Sequence, residues 1–200
     1  EQQQTVPDAE LRMVLDEISA QVSRAAEIVG RLKTFSRKAD FAREVIDINH
    51  CVRSVNKIIG RQITLQNIDL ILEINDPLPN VLAHNNRIEQ VIFNLVTNAR
   101  DAVNERIEIL KDIQKGRIII RTFYTDQHVG MSISDNGAGI APDQMDSIFE
   151  SFYTTKHMGE GMGLGLPIIQ GIVTDYNGTI SVTSEPGNGS CFKIFFPVYT

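Results

Sequence analysis

The chain reads as an α/β (α+β) two-layer sandwich: a mixed β-sheet with helices on one face, preceded by a long amphipathic helix. Three observations predict it. Helix-period and strand-period segments alternate irregularly after residue 44, which favours a mixed sheet over a regular βαβ repeat. Two strand pairs are joined by short turns, Arg117–Thr125 with Val129–Asp135 and Thr179–Thr183 with Ser190–Val198. The opening segment, by contrast, carries only a helical apolar repeat. The boundaries expected are therefore 1–40 for the helix and 44–200 for the sandwich.

The helix is predicted from Pro7 to Lys38. Leu11, Leu15, Ile18, Val22, Ala25, Val29 and Leu32 fall at alternating spacings of four and three, a heptad seam. Val14, Ile28 and Phe35 widen the stripe, so it needs partners on more than one side. Two readings stand: the helix docks on the following domain, or it belongs to a bundle whose other helices lie outside this chain or in a second copy.

After a break near 39–44, Val45-Ile46-Asp47-Ile48 reads as a short strand, and Asn49 as the N-cap of a helix to Arg61. Ile68, Leu70, Leu72 and Ile74 alternate with Asp69 and Glu73, a half-buried strand ended by Pro77 and Pro79. A long helix is predicted from Asn85 into Ile113, with Ile88, Val91, Ile92, Leu95, Val96, Ala99 and Val103 on its apolar side. The two strands that follow turn at Asp126-Gln127-His128, and glycine-rich chain runs to Gly165. Leu166–Tyr176 reads as a helix with Pro167 in its first turn and Asn177-Gly178 as its stop. The final strands turn at Glu185-Pro186-Gly187-Asn188-Gly189.

Composition narrows the function. Hydrophobic residues make up 42% and charged residues 22%, which excludes a disordered or fibrous chain. With 19 basic against 25 acidic residues the net charge is −6, which argues against a nucleic-acid partner but leaves a small anionic ligand open. No apolar run approaches membrane-spanning length. Cys51 and Cys191, the two cysteines, stand apart from any second thiol, so a reducing compartment is expected rather than a disulfide framework. The absence of an initiator methionine suggests a piece of a longer protein.

Four segments carry chemistry. Asn94 and Asn98 lie one turn apart within the long helix, on one face. Their amide oxygens suit a hydrated Mg²⁺, although a hydrogen-bonded core pair is the plainer alternative. Asp135-Asn136-Gly137-Ala138-Gly139-Ile140 places a carboxylate at a strand end before two glycines, either as a pocket floor accepting from an exocyclic amine or as an ordinary turn. Phe149-Glu150-Ser151-Phe152-Tyr153-Thr154-Thr155-Lys156 offers an aromatic anchor and a cation within reach of a phosphate, or simply core aromatics beside a surface lysine. Gly159-Glu160-Gly161-Met162-Gly163-Leu164-Gly165-Leu166 bares backbone N–H groups ahead of a helix, as an anion cradle does. No Gly-Lys-Ser/Thr follows and no strand precedes, so it is neither a P-loop nor a dinucleotide fingerprint. A flexible linker would not run straight into Leu166-Pro167-Ile168-Ile169.

In order and spacing these segments resemble the N, G1, F and G2 boxes of the Bergerat (GHKL) ATP-binding fold of sensor histidine kinases, over residues 44–198. Residues 23–37 resemble the second helix of the dimerisation and phosphoacceptor hairpin. Thr154-Thr155-Lys156 and Asn98-Ala99-Arg100-Asp101-Ala102 resemble the nitrogen-regulation and dicarboxylate-sensing branch. The resemblance implies ATP and Mg²⁺ as cofactors, with Asn98 the metal ligand and Asn94 beside it. It implies that Asp135 binds the adenine amine, with Gly137, Gly139 and Ile140 lining the base pocket. Phe149, Thr155, Lys156, Asp101, Gly161, Gly163, Leu164, Gly165 and Leu166 complete the nucleotide site, and residues 151–162 form its lid. Asn94, Asn98 and Lys156 are then the catalytic set, transferring the γ-phosphoryl group of ATP to a histidine and onward to a response-regulator receiver domain. A homodimeric, cytoplasmic kinase is implied, with a membrane anchor in the full-length protein compatible with it.

Three positions depart from the family pattern. None of His50, His84, His128 and His157 has the acidic neighbour of a phosphoacceptor histidine, so that histidine is expected outside this chain. Asp101 stands where many relatives carry Lys, which leaves Lys156 to supply the cation. His84, before the long helix, replaces a better-capping Asp. Two other functions were weighed. A GHKL ATPase would need a water-activating Glu where Asn94 stands, and a non-enzymatic nucleotide-binding or dimerisation module would not need all four boxes.

Overall fold

The computed structural model describes residues 43–125, 127–155 and 162–200. The chain divides into two compact units, Glu1–Phe41 and Ala42–Thr200. The expected helix over 7–38 lies in the first, outside the described residues.

Seven strands and three α-helices make up the described part. The strands are β1 (Glu44–Ile46), β2 (Ile68–Glu73), β3 (Val81–Ala83), β4 (Gly116–Thr125), β5 (His128–Asp135), β6 (Thr179–Glu185) and β7 (Gly189–Pro197). The helices are α1 (Ile48–Leu65), α2 (Asn85–Glu105) and α3 (Gly165–Asp175). Five strands form the main sheet in the order β2-β4-β5-β7-β6, and β1 pairs with β3 apart from it. β2 runs parallel to β4, whereas β4–β5, β5–β7 and β6–β7 are antiparallel, so the sheet is mixed as predicted. Ile88, Ile92, Leu95 and Val96 of α2 are buried in one core with Ile118 and Ile120 of β4, Met131 and Ile133 of β5, and Ile194 of β7. On the opposite sheet face Phe123 and Phe195 meet edge to face at 5.6 Å, above Gly130, where a Cβ would stand 2.1 Å from the Phe123 ring.

Several boundaries differ from the sequence reading. Asp47, not Asn49, caps α1: its carboxylate accepts from the Asn49 N–H at 2.8 Å, so Ile48 is already helical and β1 stops at Ile46. Asn49 is instead buried, donating to the Asn75 carbonyl at 2.9 Å and accepting from the Thr122 hydroxyl at 2.8 Å. α1 continues past Arg61 to Leu65. α2 does not reach Ile113 as an α-helix; it widens into a π-helical turn over Arg106–Leu110 and stops at Lys111, whose φ is +55°. β3 was not foreseen, because three residues after two prolines carry no readable period. Asn177, at φ +55°, does end α3, with the Gly178 N–H bonded to the Val173 carbonyl at 2.9 Å.

Candidate functional site

α2 carries Asn94 and Asn98, both half-buried. Its apolar face is fixed by Val91, Leu95 and Ala99 against the core, which leaves the asparagines to the side of that stripe. The N-terminus of α3 comes alongside: a Cβ on Gly165 would lie 3.8 Å from Asn98 Nδ2. The predicted N-box residue and the end of the predicted phosphate cradle are thus neighbours. Asp101, farther along α2, accepts from Arg100 Nε at 2.9 Å and Nη2 at 2.6 Å.

The loop after β5 is clasped from two sides. On the α2 side, Ala138 N–H donates to the Ala102 carbonyl at 3.0 Å, and a Cβ on Gly137 would stand 2.6 Å from the Ala102 carbonyl carbon. Only glycine permits that approach. On the other side, Ile140 N–H donates to Ser184 Oγ at 2.9 Å and Gly187 N–H to the Ala138 carbonyl at 2.7 Å. Gly139, at φ +76°, passes so close to the Glu185 carbonyl that a Cβ would lie 2.2 Å from its oxygen.

Asp135 sits at the head of this loop. Its Oδ1 accepts from the Gly137 N–H at 2.8 Å and the Ser190 N–H at 3.3 Å, while Oδ2 has no hydrogen bond among the described residues. Burial pushes the carboxyl up from the ordinary 3.8 to about 6, against the downward pull of the two N–H groups. A carboxylate with one oxygen fixed and the other free is built to accept a hydrogen bond from a ligand donor.

Of the remaining predicted residues, Phe149 and Leu166 are partly buried against the core, Leu164 is buried and Thr155 is exposed. Phe152 N–H donates to the Gly163 carbonyl at 2.9 Å, with Gly163 at φ +62°. Lys156 and Gly161 lie outside the described residues. Three residues escaped the sequence reading as site residues: Ser184; Ser190, which stood there only as the start of the last strand; and Arg106, whose Nη1 donates to the Asn136 carbonyl at 2.9 Å.

The donor set also bears on a metal. Among the described residues no group of three His, Cys, Asp or Glu side chains could hold one. The side-chain amide oxygens of Asn94 and Asn98 are hard neutral donors, of the chemistry that a hydrated Mg²⁺ takes when most of its other positions are held by water and phosphate oxygens. No helix among the described residues is long and apolar enough to cross a membrane.

A carboxylate at a strand end, a glycine loop docked on a helix that carries two asparagines, and a glycine-led helix beside them define a nucleotide-binding ATPase fold. The profile of the histidine kinase-, DNA gyrase B- and HSP90-like ATPases matches residues 83–200, and the chain belongs to that family. Within it the chain is similar to sensor histidine kinases. It is 32% identical over 181 residues to the sensor histidine kinase ZraS of Escherichia coli K12, an alignment covering 90% of this chain and 37% of ZraS. It therefore spans a little over a third of that relative's length. The solved catalytic domain of histidine kinase ThkA superposes with a TM-score of 0.67 at 28% identity, covering 79% of this chain and 99% of that domain. ThkA in complex with the response regulator TrrA shares the fold at TM-score 0.72 and 24% identity, covering 98% of this chain and 54% of ThkA.

Proposed function

We propose that this chain is the ATP-binding catalytic part of a sensor histidine kinase. Residues 44–200 bind Mg-ATP, and residues 1–40 supply the second helix of a dimerisation and phosphoacceptor hairpin. The observation that carries the site assignment is Asp135, with Oδ1 held by two backbone N–H groups and Oδ2 without a hydrogen bond among the described residues. Oδ2 accepts from the adenine amine. Asn98, with Asn94 beside it, would hold the Mg²⁺ through an amide oxygen, and the ion would supply neutralisation of phosphate charge there. Lys156 and the backbone N–H groups of Gly161, Gly163, Leu164 and Gly165 hold the phosphates.

Catalysis by these residues is positioning and charge neutralisation. The γ-phosphoryl group passes to an imidazole nitrogen on a histidine outside these residues, ADP leaves, and the phosphoryl group goes on to a response-regulator aspartate. The kinase works as a cytoplasmic homodimer. Asn94 occupies the place where a hydrolysing relative needs a basic carboxylate, which favours transfer over hydrolysis.

Calorimetry with non-hydrolysable ATP and GTP analogues tests this reading. The adenine analogue should bind at least about tenfold tighter, because guanine offers Oδ2 an acceptor instead of a donor. The chain alone should accumulate no acid-labile phosphate from labelled ATP. Equal affinities for the two analogues would remove Asp135 from the base pocket.

A further inference from the structure

Arg106 begins the π-helical turn that ends α2, and its side chain is only 14% exposed. A guanidinium that buried needs partners for its donors. It has two. Nε reaches both oxygens of Asp112, at 2.9 and 3.1 Å, and holds that carboxyl below its ordinary range. Nη1 donates to the carbonyl of Asn136 at 2.9 Å, the residue between Asp135 and Gly137. The turn itself is closed by the Lys111 N–H on the Arg106 carbonyl at 2.8 Å, so the arginine is anchored at its backbone as well.

Asn136 is fixed in every other direction. Its N–H donates to the Arg117 carbonyl at 3.2 Å, its Oδ1 accepts from the Arg117 N–H at 2.7 Å and its Nδ2 donates to the Lys115 carbonyl at 3.3 Å. Arg106 supplies the partner for the group those bonds leave over, the carbonyl. That carbonyl belongs to the peptide unit whose N–H is that of Gly137, the donor to Asp135 Oδ1. The unit is planar, so holding the oxygen sets the direction of the N–H. We infer that Arg106 is a positioning residue for base recognition: by holding the Asn136–Gly137 peptide it aims the N–H that fixes Asp135, and so determines adenine selectivity. This rests on the reading of Asp135 as the base-binding carboxylate.

The test uses the full chain and three variants. Arg106→Gln should lower affinity for a non-hydrolysable ATP analogue about tenfold and shrink the ATP-to-GTP ratio, since one charge-assisted hydrogen bond is lost. Arg106→Lys, with one donor group for two partners, should fall between it and the wild type. Asp112→Asn removes the ion pair but leaves the Asn136 contact, and should keep the wild-type ratio. In the free protein, the Gly137 and Ser190 amide resonances should move in Arg106→Gln and stay in Asp112→Asn. This ligand-free readout separates the inference from the base-pocket reading, which fails on its own if the wild type does not discriminate. A lower melting temperature with an unchanged ratio and unmoved Gly137 resonance would overturn the role of Arg106, as would an equal loss of selectivity in Asp112→Asn.

Discussion

Ala138 donates its backbone N–H to the carbonyl of Ala102 at 3.0 Å, so the glycine loop after β5 is bonded to the last turns of α2. The same helix carries Asn94 and Asn98 farther toward its N-terminus. One rigid element therefore sets the separation between the carboxylate loop and the asparagines. A site built on one helix in this way has its spacing fixed by that helix.

Gly137→Ala tests that docking. The added methyl would meet the Ala102 carbonyl carbon at 2.6 Å, with the Ala102 Cβ and carbonyl oxygen at 2.8 Å. Backbone cannot step aside as a side chain can, so the loop must lift from α2. The expected cost is about 1–3 kcal/mol in chemical denaturation, with a loss of ATP-analogue affinity beyond that of a surface control. An unchanged affinity would show that the docked loop is not needed for the nucleotide.

Asn49→Ala should separate stability from binding. Asn49, buried, links α1 to the buried Thr122 of β4 and to the Asn75 carbonyl. Its removal takes the acceptor from the buried Thr122 hydroxyl, at about 1–3 kcal/mol. Thermal unfolding should fall by several degrees while nucleotide affinity at low temperature stays at the wild-type value.

Arg43→Ala should loosen the far end of α3. Arg43 Nη2 donates to the Asp175 carbonyl at 2.8 Å and its guanidinium lies 5.6 Å from the Tyr176 ring centroid. A cation at a helix C-terminus and over the ring of the largely buried Tyr176 contributes about 1 kcal/mol in all. Arg87, paired with Asp175 Oδ2 at 2.9 Å, remains, so the loss should stay near that figure in urea unfolding.

Periodicity made most of this fold legible. The seven apolar positions on the long helix, Ile88 to Val103, are all buried, and the alternation of Ile68, Leu70 and Leu72 survives in β2. Local chemistry was less decisive. Asp47 and Asn49 are both good caps, and only the geometry of the first turn decides that Asp47 accepts while Asn49 turns inward. At the candidate site Asp135, Gly137 and Gly139 were legible because they cluster in sequence. Their supports were not: Ser190 reaches Asp135 from 55 residues away and Arg106 reaches Asn136 from 30. Partnerships across such distances are made by sheet order and helix docking, which no short window of sequence contains.

Asp135→Asn should bring a gain in stability together with a loss of binding, both dependent on pH. Burial raises the carboxyl from 3.8 to about 6, so between those values the folded chain holds a proton that the unfolded chain releases. The protonated group's contribution is complete below about pH 4 and disappears as the pH rises through 6. At neutral pH the folded protein thus carries the ionised group at a cost on the order of 3 kcal/mol. Asn keeps an oxygen for the Gly137 and Ser190 N–H groups and cannot ionise. The variant should therefore unfold at higher denaturant than the wild type at pH 7.5, with the difference shrinking toward pH 4. Binding should run the other way. The carboxylate is the better acceptor for an amine, so the wild type should hold the ATP analogue more tightly at pH 7.5 and lose that advantage as the pH falls through 6. Phosphate titration affects both proteins alike, so the ratio of their affinities isolates residue 135. A pH-independent ratio, or a variant less stable than the wild type at pH 7.5, would contradict a buried, ligand-poised carboxylate at Asp135.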